Sequence, residues 1–436
     1  EEEATETEQE NTRREVLANG LTVIARRKPS GRVFAVHILA KNRSLLEPLG
    51  KPGTAELLSR LLLKGTLTRS ATQISRELAE IGAEIKVTDN PYISFDDLYT
   101  SPAYAYIRFE TISEHAEKGL DLLVDLARHP SLDPEEIERV QEDVMRIIAR
   151  QERNPSQAAR QLLHNELFRG DPFDQGVLGT KESIATVSRQ DLIGLHRKLY
   201  APNNLIISLV GNFSVQEMIT MADRRFGDLE RMELPPLRPL SIRRNKGRRA
   251  TKALDSEQAS IRLGLFLIGI ESPDAPALQL MTSVLSGRLT AQLREAQGLA
   301  YSVGVSAHLL PGFGWLEVSL GTAPQNLPAA QKSILKEMHQ LQEAMIQREE
   351  LERVVNSQWG SLLMRRLSSI NQAYYACLHE FLGLPMNFDQ NYFKTLRRTT
   401  PHDVQQVARK YLEMEEAVIV IVGAGSSEGE GVISDK

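Results

Sequence analysis

Cysteine is almost absent from this 436-residue chain: Cys377 is the only one. That excludes an intrachain disulfide, a Cys-rich zinc site and a C-x-x-C redox motif. Long apolar runs are also missing. Stretches such as 205–210 and 417–422 are strand-length, far short of the roughly 18–20 residues of a membrane-spanning helix. A basic excess is lacking too. Lys and Arg number 52 against 57 Asp and Glu, a formal net charge of −5, which argues against nucleic acid as a partner. Nine histidines are present, at 37, 115, 129, 164, 196, 308, 339, 379 and 402, yet no two lie three to five residues apart. No histidine pair therefore has the helical spacing of a metal-ligating H-x-x-E-H segment. The chain begins at Glu1 with no initiator Met. This fits a processed exported (periplasmic) or organellar protein, with a cytoplasmic one left open.

What is present is ordinary globular material: 41% apolar and 25% charged residues, in a length suited to two or three domains. The sequence repeats itself. Ser188–Gly211 aligns without a gap on Thr400–Gly423, so that Asp191, Arg197, Lys198, Val210 and Gly211 fall on Asp403, Arg409, Lys410, Val422 and Gly423. Upstream, Glu135–Val140 matches Glu349–Val354, and Leu163-His164 matches Leu378-His379, at nearly the same offset. Three segments in one order imply two homologous domains. The expected boundaries are an acidic mobile arm (1–14), a first domain (15–230), a Pro/basic linker (231–257), a second domain (258–423) and a flexible tail (424–436). The linker carries Arg243, Arg244, Lys246, Arg248, Arg249 and Lys252. His164 and His379, at equivalent repeat positions, are expected to pack or to lie on a helix surface.

Within each half the pattern is α+β. Asn19-Gly20 between apolar stretches signals a hairpin, and 33–40 and 205–210 read as strands. Apolar spacing predicts helices over 52–64, 71–81, 115–128 and 134–151, the last opened by Pro134 after Asp133. In the second half, strands are expected near 260–268 and within 303–320.

The run Gly50-Lys51-Pro52-Gly53-Thr54-Ala55-Glu56-Leu57-Leu58-Ser59-Arg60-Leu61-Leu62-Leu63-Lys64-Gly65-Thr66 resembles the zinc-helix segment of the pitrilysin/insulinase metallopeptidases, G-x-x-G-x-A-H-x-x-E-H-x-x-x-K-G-T. Glu47, Asn19-Gly20-Leu21, Leu178–Ile184 and Tyr200–Gly211 fit the same frame, as does Arg294-Glu295-Ala296-Gln297-Gly298-Leu299-Ala300-Tyr301-Ser302 in the second half. The resemblance spans about residues 15 to 423. It implies two homologous α+β domains, each a mostly antiparallel sheet packed against several helices, forming half of a peptidase clamshell.

Zinc chemistry in that family needs two His one helical turn apart and a Glu before the second. Here these positions hold Glu56, Ser59 and Arg60. The expected helix is metal-free, the missing ion replaced either by water or by Glu56 and Arg60 as an (i, i+4) ion pair worth about 0.2–0.5 kcal/mol on an exposed helix. The third ligand implied by the family falls among Glu135, Glu136, Glu138, Glu142 and Asp143, which cannot make a site alone. The resemblance assigns Arg294 and Tyr301 to substrate and transition-state binding. A guanidinium suits a peptide carbonyl or carboxylate, and a phenol suits a developing oxyanion. The family's glycine-rich run shrinks here to Val284-Leu285-Ser286-Gly287-Arg288-Leu289.

The sequence thus reads as the zinc-less subunit of a heteromeric, processing-peptidase-like metalloendopeptidase. It would be inactive alone and carry no cofactor. Its homologous partner would hold the zinc, and peptide or unfolded polypeptide would be the substrate. A catalytically dead scaffold or a stand-alone peptide-binding protein are the alternatives.

Overall fold

A computed structural model describes residues 11–89, 99–174, 176–235 and 247–424, and the backbone of 429–432. Two six-stranded sheets organise these residues. The first contains β1 (Thr12–Val16), β2 (Thr22–Arg27), β3 (Val33–Lys41), β4 (Glu84–Lys86), β5 (Tyr104–Ile112) and β6 (Leu205–Gly211). Its helices are α1 (Thr54–Leu61), α2 (Ala71–Glu80), α3 (Ala116–Arg128), α4 (Pro134–Glu152), α5 (Pro155–Leu167), α6 (Lys181–Ala185), α7 (Arg189–Leu199) and α8 (Val215–Phe226) in sequence order. The second half supplies β7 (Arg248–Ala253), β8 (Ala259–Leu267), β9 (Ser302–Leu310), β10 (Phe313–Thr322), β11 (Val418–Gly423) and β12 (Gly429–Val432). With them come α9 (Ala275–Leu289), α10 (Leu327–Glu343), α11 (Arg348–Arg365), α12 (Ser369–Phe381), α13 (Phe388–Arg398) and α14 (Pro401–Tyr411).

The sheets share one topology. Strand order is β1-β2-β6-β3-β5-β4 in the first and β12-β7-β11-β8-β10-β9 in the second. The β2–β6 and β7–β11 pairings are parallel, and the other pairings are antiparallel. The fold is therefore α+β with two like halves, as the repeat implies. Central strands β6 (LIISLVG) and β11 (VIVIVG) are buried throughout, which explains their unbroken apolar runs. The repeated helices α7 and α14 begin alike. Ser188 Oγ accepts from Asp191 N at 3.2 Å, and the Asp191 carboxylate accepts from Ser188 N at 2.8 Å. Thr400 and Asp403 repeat that reciprocal cap.

Three elements depart from the sequence reading. Residues 248–253, inside the expected linker, form β7, because the apolar edge of β11 needs a parallel partner there. Residues 429–432, inside the expected flexible tail, form β12, which pairs with the outer side of β7. Similarly β1 starts at Thr12, within the expected arm, and closes the Asn19-Gly20 hairpin with β2. The first ten residues of the arm, and Arg243, Arg244 and Lys246, lie outside the described residues.

The chain divides into two compact units, but not at a single point. One unit comprises residues 11–148, 176–235 and 364–381 of those described; the other comprises 149–174, 247–363 and 382 onward. Helix α12, from the second repeat, thus packs on β3 and β6. Helix α5, from the first repeat, packs on β8 and β11. Each unit has its own apolar core.

Candidate functional site

Helix α1 carries the motif positions. Its start is held by Glu47, whose Oε1 accepts from Gly53 N at 3.0 Å and Ala55 N at 2.8 Å. Burial pushes the Glu47 carboxyl up to about 7, against the opposing pull of Arg43 and of these two amide donors. Leu57, Leu58 and Leu61 anchor the helix in the core.

Glu56 also faces inward and is only 3% exposed. Its Oε1 accepts from Arg60 Nε at 2.9 Å, so the spacing-derived pair forms. The expectation of an exposed face is corrected, because the same carboxylate meets a second cation. Arg43, 2% exposed, donates from Nη2 to Glu56 Oε2 at 3.0 Å and to the Val177 carbonyl at 3.1 Å. A buried carboxylate needs such compensation, since each charge loses several kcal/mol of hydration on burial. Ser59, at the position of the family's general base, is buried and donates to the Ala55 carbonyl at 2.9 Å.

This donor set does not fit zinc. Both oxygens of Glu56 are engaged by guanidinium groups, position 60 is itself a cation, and position 59 offers a hydroxyl bound to the helix backbone. Glu135 and Glu136 pair with Arg139, while Glu142 and Asp143 pair with Arg146, all on α4. Among the described residues no group of three His, Cys, Asp or Glu side chains is placed to hold a metal ion. No chemical step can be routed through a metal on this helix.

Arg294 and Tyr301 sit in the other unit. A wide helical turn over Thr290–Ala296 continues α9 and is pinned by the fully buried Leu293. Gln297 N donates to the Gln292 carbonyl at 3.0 Å, five residues back, the geometry of a π-turn. Arg294 projects from this turn and is exposed. Tyr301 precedes β9. Its amide donates to the Gly321 carbonyl at 2.8 Å, while its side chain is 58% exposed. Neither side chain has a hydrogen-bond or ion-pair partner among the described residues. Beside the turn lies an open depression of about 480 Å³, lined by Ser283, Ser286, Gly287, Thr290, Ala291, Glu295 and Val305. The shortened glycine run 284–289 is the last stretch of α9, a helix and not a loop.

The structure brings Glu56, Ser59 and Arg60 together with Arg43, a residue that sequence reasoning missed. No local pattern marks Arg43. It arrives through the turn at Asn42, whose φ of +64° redirects the chain after β3. The repeat-related histidines pack as expected: His164 lies against Phe168 and Trp315, and His379 near Tyr375 and Arg366. No helix among the described residues is long and apolar enough to cross a membrane.

Comparison with known proteins accords with this geometry. Residues 22–181 match the family described as insulinase (peptidase family M16), and residues 186–358 match the peptidase M16 inactive domain. A Rickettsia bellii protein named as an uncharacterized zinc protease is 28% identical over 346 residues, covering 77% of this chain and 79% of that one. A Helicobacter pylori protein named as the non-peptidase homolog YmxG is 23% identical, covering 89% of this chain and 88% of that one. A crystal structure of a peptidase M16 inactive domain from Pseudomonas fluorescens superposes with a TM-score of 0.86 at 20% identity. It covers 96% of this chain and 100% of the other.

Proposed function

We propose that this chain, which belongs to the insulinase (M16) family of peptidases and is a homologue of its inactive type, serves as the zinc-less subunit of a two-chain metalloendopeptidase. The observation that carries this reading is the Arg43–Glu56–Arg60 network, which fills the two His-ligand positions with a carboxylate held between guanidinium groups and with a cation. A homologous partner with an intact H-x-x-E-H helix supplies the zinc and hydrolyses the peptide bond. This chain closes the chamber and offers Arg294 and Tyr301 to the substrate.

Chemistry supports the second half of the reading. An exposed guanidinium with no partner among the described residues is free to grip a peptide carbonyl or a carboxylate. An exposed phenol can donate to the oxyanion that forms when water attacks a peptide carbonyl.

Purified alone, the chain should bind no stoichiometric zinc and cleave no peptide. Chelator-sensitive cleavage by the lone chain would overturn the reading. Co-expressed with its partner, Tyr301→Phe should lower turnover by on the order of 10²-fold, the cost of losing one oxyanion donor. Arg294→Ala should likewise lower turnover, and neither change should alter assembly by size-exclusion chromatography. If turnover is untouched in both variants, a catalytically dead scaffold replaces the proposal.

A further inference from the structure

Helix α12 covers one face of the first sheet, and the row beneath it is polar. Strand register sets Ser208 of β6, His37 of β3 and Arg108 of β5 directly opposite one another, so their side chains share that face. His37 and Ser208 are fully buried, and Arg108 is 9% exposed. Among the described residues neither ring nitrogen of His37, nor Ser208 Oγ, nor Arg108 Nη1 has a hydrogen-bond partner. A row of buried polar atoms without partners is costly, at about 1–3 kcal/mol for each group.

The surroundings of His37 are aromatic. Its ring stacks on Tyr106 at 6.1 Å, and Tyr374 of α12 meets it edge-on at 5.2 Å. The Cys377 thiol of α12 sits over the His37 carbonyl at 3.4 Å and the Ile206 carbonyl at 3.6 Å. The titratable and charged groups facing His37 are thus Tyr106 and Arg108 from β5, and Tyr374 and Cys377 from α12. From β6 comes only the neutral Ser208. Asp89 lies one side chain further out, accepting from Tyr106 Oη at 2.7 Å. The formal charge nearest the imidazole is therefore the cation of Arg108.

Side-chain hydrogen bonds fasten α12 to the unit, among them Lys28 Nζ to Ser369 Oγ at 3.4 Å and Tyr99 Oη to Asn371 Oδ1 at 3.3 Å. Tyr374 Oη and Tyr104 Oη meet at 3.2 Å, and Arg108 Nη2 donates to Asn371 Oδ1 at 2.8 Å. Arg14 forms two 2.7 Å bonds to Glu380. The segment leading into the helix carries Leu367, 73% exposed, whose carbonyl accepts from Lys28 Nζ at 2.9 Å.

We propose that α12 is an acid-sensitive latch: His37 can be protonated only when α12 lifts from the sheet, so acidification releases this helix while the rest of the unit stays folded. Burial, and then Arg108, hold the docked imidazole well below its ordinary range. In the lifted state it regains a value near 6.5. The lifted state therefore takes up a proton that the docked state refuses. Its population is insensitive to pH above about 6.5 and rises as pH falls below it, by up to about tenfold per unit.

Cys377, the only cysteine of the chain and fully buried, reports lifting directly. Its reaction with 4,4′-dithiodipyridine, which works in mild acid, is timed in the native protein and in urea-unfolded protein at the same pH. The ratio of the two rates gives the lifted fraction free of thiol chemistry. Between pH 6.5 and 5.5 that fraction should rise about five- to tenfold in the wild type and stay flat in His37→Phe. Amide exchange, followed in parallel, should show α12 losing protection while α3 of the same unit keeps it. A flat wild-type profile, an equal loss in α3, or the same slope in His37→Phe would overturn the latch. Should His37→Phe not fold, the comparison of α12 with α3 in the wild type decides alone.

Discussion

A carboxylate shut away from water survives only with cations against it, and Glu56 has two. Removing it strands Arg43, which is 2% exposed. Glu56→Ala should therefore cost about 3–5 kcal/mol, read from urea unfolding, the usual penalty for breaking a buried pair from one side. Arg60→Ala should cost no more than about 1 kcal/mol, because its side chain remains 20% exposed and Arg43 still neutralises Glu56. Equal losses in the two variants would mean that Arg43 is not the principal partner. Half of this cluster was legible in the sequence. The spacing of Glu56 and Arg60 puts them on one helix face, whatever the tertiary structure does. Arg43 was not legible, since a contact made across a turn leaves no periodic trace. For the same reason the sequence expected a solvated pair worth tenths of a kcal/mol, where burial makes a network whose loss costs several. Arg294 and Tyr301 stand differently. Their positions came from a family resemblance, and their exposure is a separate fact that no sequence pattern predicts.

Among the elements, α1 shows how tightly its frame is specified. Gly53 has φ +89°, and a Cβ there would sit 2.3 Å from the Leu178 carbonyl oxygen. Gly179 has φ +70°, and a Cβ there would sit 2.1 Å from the Pro52 carbonyl oxygen. The two backbones touch reciprocally, which only glycine at both places permits. Gly53→Ala or Gly179→Ala should each destabilise the protein by more than about 1 kcal/mol, measured as a shift of the urea midpoint at constant slope. An unshifted midpoint in either variant would show that the contact yields freely. Helices with clear apolar spacing, such as α2, α3 and α4, were legible to within a residue or two, and so was the hairpin closed at Asn19-Gly20. Strands β7 and β12 were not. Arg-Arg-Ala-Thr-Lys-Ala has the composition of a solvated linker, and Gly-Glu-Gly-Val that of a loose tail. β7 is paired by the buried strand β11 and β12 in turn by β7, so their places are set by the neighbouring strand and not by their own side chains, and their composition is misleading.

At the scale of the whole molecule, the duplication was legible because capping residues and buried strands recur in fixed order. The reciprocal placement of α5 and α12 was not, because amphipathic spacing says that a helix has an apolar face but not which sheet receives it. The second unit should also be acid-labile. Burial, with Arg160 adding, pulls His164 down to about 3 and His308 down to about 4. In the unfolded chain both titrate near 6.5. Below that pH the unfolded state binds protons that the folded state does not, so stability is full above about 6.5 and falls as pH drops toward 4. Urea midpoints at pH 7 and pH 5 should differ in that sense, and His308→Phe, which keeps a ring against Trp315, should narrow the gap. A gap of the same size in the variant would exclude His308 as a contributor. The placement of α12 also carries a temporal consequence. During synthesis every strand of the first sheet has been made by residue 211, yet the helix that covers its polar row ends at Phe381. At roughly 5–20 residues per second, a ribosome needs on the order of ten to thirty seconds to cross that interval. For that time the nascent sheet must wait with Ser208, His37 and Arg108 uncovered. The first half of the gene, expressed by itself, encodes a sheet without its cover, and a peptide spanning α12 supplied in trans is the missing part.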